Sequence, residues 1–268
     1  MKLSLKDIKK KLKEPPKVIK PQAEQFENFS VPGPIDLEPF KVKEELWVLP
    51  EYITSELESK VLRQGVYNQS NSRWTKLRTR NAQMWGGSVS PQGLQDKEPL
   101  PRWLDIFAQR LFDEKVFPLK PNHVLVNEYH PGDGIMAHTD GPAYFPLVAI
   151  LSMGSISVMT FWEDNPRKPA FSVILPAQSL LIMTGDLYYN YLHSIEQKPV
   201  DYIMTDDCGV FYTHTEDNQL SPVLNYSGPS EPKDSYIEPC PNCGNELRVV
   251  ESIYRSVRVS LTIRYVPI

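Results

Sequence analysis

From Lys13 to about Pro39 the chain carries Pro15, Pro16, Pro21, Pro32, Pro34 and Pro39 among charged and amide residues. Such a stretch cannot supply a packed core, so residues 1–39 are read as a disordered Lys/Pro-rich tail and 40–268 as the folded domain. The first compact apolar run, Leu46 to Leu49, ends at Pro50 and predicts a strand. Ser55-x-x-Glu58 then has the form of a capping box opening a helix with Leu57, Val61 and Leu62 on one face. From Pro101, residues Trp103, Leu104, Phe107 and Leu111 recur at helical spacing and predict a second helix packed on the core. Beyond Asn122 the rhythm changes to short apolar runs at 123–129, 147–153, 155–162, 171–175, 179–183, 192–195 and 258–266, broken by Pro and Gly. That series predicts a mainly β fold with flanking helices (α+β), built as a sandwich or barrel. The rhythm lapses over about 196–249, where Pro, Asp, Asn and Ser predict an inserted loop or lid.

Composition excludes more than it selects. At 268 residues and 41% hydrophobic the chain can bury one full core. A net charge of −4 is no global mark of a nucleic-acid binder, although a local basic patch can coexist with it. Three cysteines, Cys208, Cys240 and Cys243, are an odd number that does not suit a secreted disulfide framework and favours a reducing compartment. With no apolar stretch of membrane-spanning length and no signal-like start, an intracellular protein of cytoplasm and/or nucleus, without membrane contact and monomeric, is expected. Lys9, Lys10, Lys11 and Lys13 suit a solvated tail or a nuclear address.

The candidate chemistry starts at His138-x-Asp140, since residues two apart on an extended segment share a face and can reach one ion. His193, 193 − 140 = 53 residues further on, supplies a third ligand. Two imidazoles and one carboxylate on one side of an ion leave its other positions open, as in non-haem Fe(II) oxygenases, whereas a structural zinc site closes all of its positions. The final strand strengthens this reading, because alternation puts Arg258, Ser260, Thr262 and Arg264 on one face. A pair of guanidinium forks there suits a dicarboxylate, and Asn127 and Tyr129, also alternate, add an amide and a phenol. Each has an ordinary alternative: exposed arginines on a solvated strand, or a core tyrosine with a satisfied hydroxyl.

Asn127-x-Tyr129, His138-x-Asp140, His193 and Arg258-x-Ser-x-Thr-x-Arg264, in this order, resemble the AlkB-like Fe(II)- and 2-oxoglutarate-dependent dioxygenases. Asn122-His-Val-Leu-Val-Asn-Glu-Tyr129, Gly134-Ile-Met, His138-Thr-Asp-Gly-Pro142 and Trp85-Gly-Gly87 narrow the resemblance to the AlkB homologue six subgroup, from about Phe40 to the C-terminus. The resemblance implies a double-stranded β-helix (jelly-roll) core with an N-terminal strand–helix extension forming a lid. It implies iron on His138, Asp140 and His193, 2-oxoglutarate held by Asn127, Tyr129 and Arg258, and Ser260 and Arg264 lining the same pocket. Many family members carry asparagine where Ser260 stands, and the 258 − 193 = 65 residues between His193 and Arg258 exceed the usual link. The implied reaction consumes dioxygen and 2-oxoglutarate, and hydroxylation of an N-methyl group would release formaldehyde.

Arg73, Trp74, Arg78, Arg80 and Trp85 fall in what would be the nucleotide-recognition lid, where basic and aromatic residues suit phosphate contact and base stacking on single-stranded or flipped-base DNA or RNA. The same residues also suit a solvated loop with tryptophans in the core. A protein side-chain hydroxylase or demethylase, or a non-catalytic binding module, are the competing functions. Cys240-Pro-Asn-Cys243 has the form of a zinc knuckle to which Cys208 or His214 could add ligands, but without a second Cys pair zinc is the lesser expectation.

Overall fold

In the computed structural model, residues 34–267 are described apart from 165–166, 206–207, 232–238 and 245. The chain enters through β1 (Lys41–Lys43) and β2 (Leu46–Leu49), followed by α1 (Ser55–Lys60) and a π-helical turn over Val61–Val66. Four short strands, β3 (Thr75–Lys76), β4 (Asn81–Trp85), β5 (Ser88–Ser90) and β6 (Gly93–Gln95), precede α2 (Arg102–Asp113). Then come β7 (His123–Tyr129), β8 (Ile135–His138), β9 (Leu147–Met153), β10 (Ser157–Asp164), β11 (Arg167–Leu175) and β12 (Leu180–Thr184). The short α3 (Gly185–Tyr189) leads to β13 (Tyr191–Ile195), β14 (Val200–Thr205), β15 (Phe211–His214), β16 (Leu220–Pro222), β17 (Arg248–Tyr254) and β18 (Arg258–Arg264).

Two sheets form the jelly roll: an eight-stranded one in the order β1-β2-β12-β9-β18-β7-β4-β3, and a four-stranded one in the order β11-β10-β13-β8. Val148, Ile150, Leu181 and Met183 of the larger sheet and Met159, Phe161, Val173 and Leu175 of the smaller share one core, as alternation in half-buried strands requires. The N-terminal extension does not simply cap the roll: β1 and β2 lengthen the large sheet beyond β12, while β3 and β4 lengthen it beyond β7. Among the described residues no helix is long and apolar enough to cross a membrane.

Three expectations change. The fold begins before Phe40: Ile35 donates its N–H to the Glu114 carbonyl (3.2 Å), and Glu38–Phe40 is a 3-10 turn; residues 1–33 of the expected tail lie outside the described residues. The first helix is capped by Thr54, whose Oγ1 accepts from Leu57 N–H (3.2 Å), not by Ser55. Glu58 is drawn away by tertiary partners, accepting from the Gly154 amide (2.7 Å) and from Gln178 Nε2 (2.7 Å).

The third change is the insertion, which holds a sheet of its own in the order β16-β15-β14-β17. Its strands are short and interrupted by turns, so no long alternation marked them. The insertion docks on the edge strand β11, where Ser172 bridges Val223 and Asn225 both accepts from Ile174 N–H (2.7 Å) and donates to its carbonyl (2.8 Å). A bare strand edge is thereby covered. Arg255 ties the return to the body with a buried fork onto both oxygens of Asp201 (2.6 and 2.7 Å) and a bond to the Glu196 carbonyl (2.6 Å).

Candidate metal and co-substrate site

The pairing of β8 with β13 sets His193 opposite His138, with ring centroids 4.5 Å apart. Gly134 allows that approach, because a Cβ there would sit 2.2 Å from the Ile195 carbonyl oxygen. Alternation past β8 returns Asp140 to the same side; its carboxylate is 1% exposed, with Oδ2 3.7 Å from His193 Nε2. One ligand atom from each of the three lies within 4.8 Å of the others.

His138 Nδ1 donates to the Met136 carbonyl (2.8 Å), which leaves Nε2 as the lone-pair nitrogen. Burial lowers the His138 pKa, and takes that of His193 down to about 4 despite the opposing pull of Asp140. Burial alone would raise Asp140, but Arg264 and then the two histidines outweigh it and hold the carboxyl below its usual range. At neutral pH the three side chains are thus in the protonation states a cation needs. They are also short of partners. Arg264 lies in ion-pair contact with Asp140 Oδ1, yet neither carboxylate oxygen accepts a well-aligned hydrogen bond, and His193 Nδ1 is buried without one. Orphaned buried groups of this kind cost about 1–3 kcal/mol each, which a bound divalent ion offsets, so the donor set fits Fe(II).

A cavity of about 620 Å³ opens beside the cluster, walled by β7, β9 and β18 on one side and β8, β10 and β13 on the other. The β7–β18 register pairs Arg258 with Tyr129 and Ser260 with Asn127, and all five expected co-substrate residues, Arg264 included, line the cavity. Arg258 donates to Ser152 Oγ (2.9 Å) and lies 5.5 Å from the Tyr129 ring centre, while its Nε has no partner. Arg80 donates to Asn127 Oδ1 (3.0 Å). Four guanidiniums, of Arg78, Arg80, Arg258 and Arg264, face one carboxylate, Asp140, so the cavity is built for an anion.

The five expected substrate residues separate. Arg78, exposed, and Arg80, half-buried, line the cavity, and Thr79 fixes their segment by donating to the Gly134 carbonyl (2.7 Å). Arg73, Trp74 and Trp85 do not line it. Trp85 is buried edge-on against Trp103, Arg73 lies 3.6 Å over the Trp85 ring and pairs with Glu98, and Trp74 stacks on Tyr67. Aromatic burial claimed these residues for packing. The sequence reading missed Ser152, which meets Arg258 only through the β9–β18 register, and Tyr144, whose ring carries the Arg264 guanidinium at 4.5 Å.

His123, paired across the sheet with Arg264, is buried with both ring nitrogens unpartnered, and burial followed by Arg264 lowers its pKa to about 4. The unfolded chain therefore takes up a proton near 6.5 that the folded chain refuses until about 4. This contribution is fully present above pH 6.5 and is lost as pH falls to 4, by about 3 kcal/mol. Urea melts across that window should show a shallower slope for His123→Phe; an unchanged slope would refute the assignment.

Residues 48–264 match the 2OG-Fe(II) oxygenase superfamily, and the chain belongs to that family. It is a dioxygenase, an oxidoreductase that uses Fe(II), 2-oxoglutarate and O2. Among curated relatives, the Danio rerio protein named "Probable RNA/DNA demethylase ALKBH6" is 35% identical over 248 residues, covering 87% of this chain and 92% of its own. The Macaca fascicularis "tRNA (carboxymethyluridine(34)-5-O)-methyltransferase ALKBH8" is 30% identical over 64% of this chain, which spans 27% of that longer protein. Of solved structures, OsALKBH1 aligns over 82% of this chain and 97% of its own, at 12% identity and a TM-score of 0.46.

Proposed function

We propose that this dioxygenase hydroxylates N-linked methyl or other alkyl groups on nucleobases and so removes them from DNA or RNA. The observation that carries the proposal is the position of Arg78 and Arg80, two cations on the rim of the cavity that holds the His138, Asp140 and His193 cluster. The name of the Danio rerio relative, a demethylase of RNA or DNA, supports it.

In this reading His138, Asp140 and His193 hold iron, which with 2-oxoglutarate and O2 supplies C–H hydroxylation and leaves succinate and carbon dioxide. Arg258 binds the far carboxylate of 2-oxoglutarate, with the Tyr129 phenol and Asn127 amide beside it. Arg264, in ion-pair contact with Asp140, keeps that carboxylate ionised, and Ser260 lines the same cavity between the arginines. Leu125, Ile150 and Met159 exclude water from the space between the two sheets. The N-hydroxymethyl product breaks down to formaldehyde and the free amine, so no further acid or base is required of the chain. Arg78 contacts a phosphate of a single-stranded or flipped-base substrate.

Arg78→Ala should weaken single-stranded oligonucleotide binding several-fold and lower the salt dependence of log K by about one, with the KM for 2-oxoglutarate unchanged. Arg80→Ala should also raise that KM, because it frees Asn127. Mass spectrometry of products from methylated DNA, RNA and peptides checks the substrate class. Turnover of peptides alone would move the reading to a protein side-chain oxygenase.

A further inference from the structure

We propose that Cys208, Cys240 and Cys243 form a zinc site, separate from the iron centre, that clamps one end of the inserted sheet. The three sulfurs lie within 4.8 Å of one another, although Cys208 and Cys240 are 240 − 208 = 32 residues apart. The sheet brings them together. Thr205, at the end of β14, pairs with Phe211 at the start of β15 and with Arg248 at the start of β17. Cys208 sits in the β14–β15 turn, and Cys240 and Cys243 in the approach to β17, so all three gather at the same end.

Their number and spacing suit a metal. Tetrahedral zinc with Zn–S bonds of about 2.3 Å holds its sulfurs about 3.8 Å apart, within the spread seen here. None of the chain's three cysteines, all of which are described, is in a disulfide. Three thiolates select a soft ion such as zinc, whereas the imidazole and carboxylate set of the other cluster suits iron, so ligand chemistry sorts the two metals.

The backbone around Cys240 is a second, independent observation, since it is shaped as a metal knuckle. Asn242 N–H donates to Cys240 Sγ (3.3 Å), which places a backbone amide on the sulfur. Gly244, at φ +77°, turns the chain and donates to the Cys240 carbonyl (2.9 Å). A bridge between Pro239 and Glu246 closes the loop at its base, and Asn242 Nδ2 donates to the Tyr212 hydroxyl of β15 (2.6 Å). Cys240 is 3% exposed against Met204, Tyr212, Leu247 and Val249, while Cys208 and Cys243 are exposed, so a solvent water can complete the fourth position. His214, a candidate on sequence grounds, is not among the clustered ligands. Linking the β14–β15 turn to the approach of β17 closes a loop of about thirty residues.

The test uses the full chain purified under reducing conditions and loaded with Zn(II) or, in parallel, Co(II). Elemental analysis should find one tightly held zinc in the wild type and in His138→Ala, and about none in Cys240→Ser/Cys243→Ser. The Co(II) form should show thiolate-to-metal charge-transfer absorption, which a nitrogen and oxygen site cannot give. Cys208→Ser, an exposed change that leaves the buried Cys240 intact, should lower that band by about a third. Chelation should lower the melting temperature of the wild type and not that of the cysteine variants. The proposal is overturned if the wild type keeps no zinc, if zinc is lost in His138→Ala and kept in the cysteine variants, if the Co(II) band is absent, or if intact mass shows a disulfide.

Discussion

Asp140→Asn should reduce conversion of 2-oxoglutarate to succinate by about a thousandfold or more while leaving the fold intact. The two side chains have the same shape, and the Asp140 side chain is 1% exposed, so the change removes charge and almost no volume. What it removes is the one carboxylate among the cavity's lining residues, set against four guanidiniums. Arg264 then faces the cluster without its counter-charge, and a neutral amide replaces the anionic oxygen that a hard cation prefers. Metal catalysis contributes several kcal/mol, and at about 1.4 kcal/mol per tenfold its loss gives the stated factor. His138→Ala should do the same by a different route, since the Met136 carbonyl loses its donor and the cation loses a nitrogen. Succinate release with saturating iron is the measurement, with circular dichroism to confirm folding. Turnover within about tenfold of the wild type would refute the assignment of Asp140.

The cluster of His138, Asp140 and His193 could be found in the sequence because two of its members sit two residues apart on one extended segment, where period-two alternation fixes their relation. The same rule recovered the Arg258 to Arg264 face and the Asn127, Tyr129 pair, and the cross-strand register then joined them. Strands β2, β7 and β9 have the bounds expected from their apolar runs, because their residues face a packed core. Where tertiary partners outweigh local pattern, the structure departs from it. Glu58 bonds to Gly154 and Gln178 and not to the helix start, and Arg73 lies over the Trp85 ring, off the lining of the cavity. The inserted sheet could not be read because its strands are brief and rest on β11, a dependence that no local window contains. Cys208 shows the same limit: only the strand order carries it to Cys240 and Cys243.

Arg258→Met should move ligand affinity and stability in opposite directions. Arg258 is buried, its Nε has no partner, and its neighbours, the Ser152 hydroxyl and the Tyr129 ring, carry no formal charge. Burial lowers its pKa to about 10, with Tyr129 opposing and Arg255 adding to the fall, which marks a cation held without an anion. Replacing such a buried charge by an apolar side chain of similar length is neutral or stabilising in the absence of ligand, so the variant's melting temperature should hold or rise. The same change removes the fork that would receive the dicarboxylate. Losing one partner of a buried charge pair costs about 2–5 kcal/mol, so the KM for 2-oxoglutarate should rise by roughly thirtyfold to a few thousandfold. Adding 2-oxoglutarate should therefore raise the melting temperature of the wild type and leave that of the variant unchanged. Tyr129→Phe, which deletes one neutral hydroxyl, should raise KM by only about tenfold. Thermal melts with and without 2-oxoglutarate, set beside steady-state kinetics, separate the two effects: a variant that is less stable without ligand and unchanged in KM would show that Arg258 supports the sheet and not the co-substrate.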